Sequence, residues 1–157
     1  MVPGVAARKV VLTGIAPKSG DGKPTADTLR LGTGAALRAA GTADTVIVDV
    51  PAGTEALLAA AAEGAYLGTY AFTAHKTTGT SAKGGRKTES ATGNVGAIRI
   101  QVADAKDRAA KATLKRAETL SAATAYARDL VNTPANILYP QTFANSVAAR
   151  VAERKLP

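Results

Sequence analysis

The order of apolar runs and helical stripes in this 157-residue chain predicts an α/β fold: a mainly parallel sheet flanked by helices, then a long linker helix. Three observations carry that expectation. Short β-branched runs alternate with helix-length segments, as crossover connections between parallel strands require. The first strand-like run, Lys9–Ile15, is a short apolar β-branched stretch, as in a parallel sheet covered on both faces. And the helical segments are rich in Ala and Gly, which lets helices lie close to their neighbours.

Lys9–Ile15, K-V-V-L-T-G-I, reads as the first buried strand, and a turn-rich loop follows to Pro24. Thr25 is placed to cap a helix that runs to Ala40 and ends at Gly41. Gly32 and Gly34 weaken it by about 1 kcal/mol each relative to Ala, a cost tolerable where the helix lies against a sheet. Thr45–Val50 is the second strand, and Pro51 ends it.

Thr54–Tyr70 is the second helix, with Gly64 and Gly68 four residues apart on one side. In a membrane that spacing would suggest helix dimerisation, but this helix carries Glu55 and Glu63; close approach to a neighbouring strand or helix is the better reading. Thr77–Gly93 is a polar, basic loop. Val95–Val102 is the third strand, and Asp104 can cap the long helix Ala105–Asn132. Its stripe is Ala110, Leu114, Ala117, Leu120 or Ser121, Thr124, Ala127 and Val131.

From Tyr126 to Pro140 the chain turns a stiff corner. Pro134 stops the long helix by removing a donor and forcing Thr133 out of the helical region. Asn132 and Asn136 suit the turn, and Pro140 marks its other end. A last helix, Gln141–Lys155, is expected to be capped by Thr142 and to carry Phe143, Val147 and Val151 on one face.

Composition narrows the chemistry. The absence of Cys removes disulfides, thiolate catalysis and thiolate metal sites, and suits a reducing cytoplasm. No apolar run approaches the roughly 18 residues of a membrane span. The net charge of +8 is concentrated between Lys83 and Arg116, with nine Lys and Arg against Glu89, Asp104 and Asp107. A solvated basic face accounts for this better than a nucleic-acid site, since no aromatic is interleaved for base stacking.

The motif tests are negative. Gly22-Lys23 has Pro17 where a phosphate loop needs its first Gly and Pro24 where it needs a hydroxyl. Gly32-Thr33-Gly34 lies inside a helix instead of opening one, with Leu37 at the third Gly position of a dinucleotide fingerprint. His75 stands alone beside Lys76, and Asp49 is a strand-end acid with no partner in the pattern. No catalytic, cofactor-binding or metal-ligating residue is therefore assigned.

The corner carries a resemblance. A-R-D-L-V-N-T-P-A-N-x-x-Y-P-x-x-F-A, from Ala127 to Ala144, closely resembles the domain junction of the leucyl (cytosol) aminopeptidases. Ala62–Phe72 resembles that family's E-G-x-x-L-G-x-Y-x-F helix end, and Lys9–Gly14 its Gly-terminated strand. The resemblance implies a three-layer, macro-domain-like amino-terminal domain over 1–125 that lacks its first strands. It also implies an interdomain linker and the first helix of a catalytic domain over 126–157.

Family members are two-metal exopeptidases, using zinc or manganese, that assemble as hexamers in the cytoplasm. Their metal ligands lie in K-G-x-x-F-D-(S/T)-G-G and N-T-D-A-E-G-R segments. Neither is present; Asn132-Thr133-Pro134 departs from the second at its third residue. The expectation is thus a non-catalytic scaffold that binds no cofactor and is inactive alone. Its partners are the catalytic domain of the same polypeptide, further copies of itself, and peptide substrates through that domain. Neither a membrane nor nucleic acid is expected as a partner. The alternative is a free-standing macro-like module for a nucleotide or ADP-ribose.

Overall fold

The computed structural model describes residues 6–16, 22–74 and 95–154. Helix α1 spans Ala26–Ala40, strand β1 Ala43–Val48, helix α2 Glu55–Gly68, strand β2 Val95–Ile100, helix α3 Arg108–Asn132 and helix α4 Pro140–Arg154. The α/β class is as expected from the sequence. The chain forms two compact units, one through Ala123 and one from Thr124 onward.

In the first unit β1 and β2 pair in parallel, with Val46 opposite Ile98 and Val48 opposite Ile100. These four residues, with Val50 and Val95, pack on Leu37 of α1 and Ala65 of α2. Period-two alternation turns Thr45, Ile47, Ala97 and Arg99 the other way, and Ile47 is 68% exposed.

The expected first strand is absent. Lys9–Ile15 is irregular, and Leu12 is 91% exposed. A β-branched run becomes a strand only where a neighbour completes its ladder. Here Thr13, Gly14 and Ile15 instead cross α1 at Gly32, where a Cβ would meet Ile15 Cγ2 at 2.8 Å and Gly14 O at 3.2 Å. Lys9 reaches the other end of the same helix. Its Nζ donates to the carbonyls of Ala39 (2.6 Å) and Ala40 (3.2 Å). These are acceptors that a helix C-terminus leaves unpaired.

The start of α1 follows its sequence. Thr28 N donates to Thr25 Oγ1 at 3.2 Å and Thr25 N to Thr28 Oγ1 at 2.9 Å, a reciprocal cap. At its other end Gly41 takes φ 71°, a conformation costly to residues with a Cβ.

Glycines set the distance between α1 and α2. A Cβ at Gly64 would run into Arg30 O and Thr33 Oγ1, and one at Gly68 would lie 2.6 Å from Gly34 O. Gly34 thus serves a helix crossing, not the sheet contact expected for it. Across the same junction Arg30 Nε binds Glu63 Oε2 at 2.9 Å while its Nη1 binds Asp27 at 2.7 Å. The Glu63 hydrogen bond, ahead of the opposing cost of burial, raises the guanidinium pKa further.

The first half of α3 meets α2 through side chains at the start of both helices. It buries Thr113, Ala117 and Ser121; of the expected stripe Ala117 and the Ser121 alternative are buried, while Leu120 is exposed. Thr113 Oγ1 donates to Glu55 Oε1 at 3.0 Å. α3 also starts later than expected. Asp104 Oδ1 accepts from Lys106 N in a preceding turn, and Asp107 Oδ1 accepts from Ala109 N at 2.8 Å, the capping position of the helix itself.

The second unit holds the end of α3, the turn and α4. Thr133 N donates to Asp129 O at 3.0 Å as α3 ends, and Ile137 N and Leu138 N both donate to Pro134 O at 2.9 Å. Pro140 opens α4, where its missing N–H costs nothing. The expected cap is shifted: Thr142 sits two residues inside the helix and accepts from Tyr139 N at 2.9 Å. Tyr126 Oη and Ser146 Oγ are 2.9 Å apart, and the Arg150 guanidinium lies 5.1 Å from the centre of the Tyr126 ring.

Candidate functional site

In a parallel α/β sheet, ligands are bound beyond the carboxyl ends of the strands, where helix N-termini converge. The chain leaves β1 through Ala52-Gly53-Thr54 into α2, and leaves β2 through Val102-Ala103-Asp104 toward α3. A crevice of about 260 Å³ opens between these connections, lined also by Glu55, Leu58, Asp107 and Thr113.

Its chemistry does not suit a nucleotide. Glu55, Asp104 and Asp107 are the charged lining groups, and no Lys or Arg faces them from the wall. Two helix N-termini would attract an anion, but carboxylates placed there offset that field. The polar atoms are also engaged internally. Thr54 Oγ1 accepts from Leu57 N, Asp104 and Asp107 cap backbone, and Glu55 holds Thr113. Among the described residues, no group of three or more His, Cys, Asp or Glu could hold a metal ion, so these residues do not fit a two-metal centre.

The singled-out motifs are accounted for locally. Thr25, at the end of the Gly22-Lys23 stretch, is a helix cap. Gly32, Thr33 and Gly34 are buried in α1 packing, with Thr33 Oγ1 donating to Leu29 O at 2.8 Å. Asp49 is exposed just after β1. His75 and the basic Thr77–Gly93 loop lie outside the described residues. Sequence reasoning passed over the strand-end crevice; the signal was present in Thr54 and Asp107, each placed to cap a helix soon after a strand.

The other distinctive surface is in the second unit. Thr124, Ala127, Arg128, Val131 and Asn132 line a shallow groove on the last turns of α3. Phe143, Val147 and Val151 form a stripe along α4, 46%, 36% and 38% exposed.

The sequence has relatives among known proteins. No family model matches. A probable cytosol aminopeptidase of Micrococcus luteus is 39% identical over 155 residues, covering 96% of this chain. The chain is related to the cytosol aminopeptidases. A counterpart from Streptomyces avermitilis is 36% identical over 143 residues, and one from Mycobacterium marinum 38% over 133. The chain spans 28%, 27% and 23% of those three proteins, about a quarter of their length.

The fold has a counterpart among solved structures. The bottromycin maturation enzyme BotP, in a complex with Mn, superposes with a TM-score of 0.67 over 90% of this chain and 27% of its own, at 24% identity. That likeness is one of fold. As for membranes, no helix among the described residues is long and apolar enough to cross one.

Proposed function

We propose that this chain is the non-catalytic, amino-terminal portion of a cytosol aminopeptidase, with a role in scaffolding and assembly. The observation that carries this reading is the match of nearly the whole chain to about a quarter of those enzymes' length. On this reading, removal of amino-terminal residues from peptides is the work of the remaining polypeptide. Divalent metals, manganese or zinc, would be held there and would supply an activated water. The residues of the strand-end crevice take no part in that step.

The proposed layout is a macro-like supporting domain through residue 125, then a linker through Pro140 and the first helix of the catalytic domain. Assembly into a hexamer in the cytosol is part of the same proposal. A free-standing nucleotide or ADP-ribose module is less well supported, because the crevice expected to take the ligand is lined by three carboxylates.

Two measurements test the reading. The purified chain is expected not to hydrolyse leucine p-nitroanilide with manganese or zinc added; turnover above a metal-only blank refutes it. Calorimetry with millimolar ADP-ribose is expected to give no binding heat, and a saturable isotherm would favour the module instead.

A further inference from the structure

We draw no further inference here: the strongest candidate, the exposed cationic stripe of Arg108, Lys111, Lys115 and Arg116 along the first turns of α3, lies opposite the buried Thr113, Ala117 and Ser121 as the solvated side of an amphipathic helix does, and nothing in the structure shows what covers it.

Discussion

Replacing Gly64 by Ala should cost this fold more than deleting a buried methyl group. The added Cβ would collide with Arg30 O and Thr33 Oγ1 on α1. The carbonyl is fixed in a helix and cannot step aside, and Thr33 Oγ1 is held by its bonds to Leu29 O and Arg30 O. Overpacking typically costs about 1–3 kcal/mol, and obstacles of this kind place Gly64 at or above the upper end. Ala recovers about 1 kcal/mol over Gly through helix propensity. The net loss is then about 2–3 kcal/mol, which for a chain of this size lowers the midpoint of thermal unfolding by roughly 4–12 °C. Gly53→Ala is the control, since a Cβ there meets nothing within 4 Å; it should stay within about 0.5 kcal/mol of the parent. Urea unfolding followed by far-ultraviolet circular dichroism separates the two, with an unchanged slope showing that only stability moved. If Gly64→Ala proves as stable as Gly53→Ala, the close crossing of α1 and α2 is wrong.

Burial, with Glu118 adding to it, raises the Tyr66 phenol pKa above its ordinary 10.0. A raised folded-state value means that the unfolded chain gives up this proton first, so stability should fall as pH rises from about 10 through the folded value; Tyr66→Phe should flatten that fall in alkaline denaturation. Ser121 Oγ is buried with no hydrogen-bond partner, so Ser121→Ala should leave stability unchanged or raise it by up to about 1 kcal/mol in urea titration. Lys9→Met should cost about 0.5 kcal/mol by removing the cation at the C-terminus of α1, and the loss should shrink in high salt.

Much of the α/β order is legible in the sequence because the residues that make it act locally. Thr25 and Thr54 cap their helices through backbone groups three positions away. Pro134 stops α3 by what it lacks, and the β-branched runs of β1 and β2 have little use outside a sheet. What stays hidden depends on who the neighbour is. Lys9–Ile15 has the composition of a strand, but Gly32 of α1 offers it a place to lie instead. Gly34 announces a close approach without saying that α2 makes it. The crevice is hidden for the same reason: Glu55 and Thr113 are 58 positions apart, and their bond exists only once the chain has folded. The corner at Tyr126–Pro140 reads plainly because its turn chemistry is contained within a few residues.

The parallel pairing of β1 with β2 has a consequence for how the molecule assembles. Ala43 and Val95 are partners about 50 residues apart, with α2 in the stretch between them. Closing that distance costs entropy before a single ladder bond repays it. The α1–α2 crossing closes a shorter loop: Arg30 and Glu63 are 33 residues apart, with β1 between the two helices. The two helices are therefore expected to associate first and offer Leu37 and Ala65 as a platform on which the sheet is completed. Order of formation then becomes order of loss, and amide protons in β1 and β2 should exchange through openings that leave the helix pair intact.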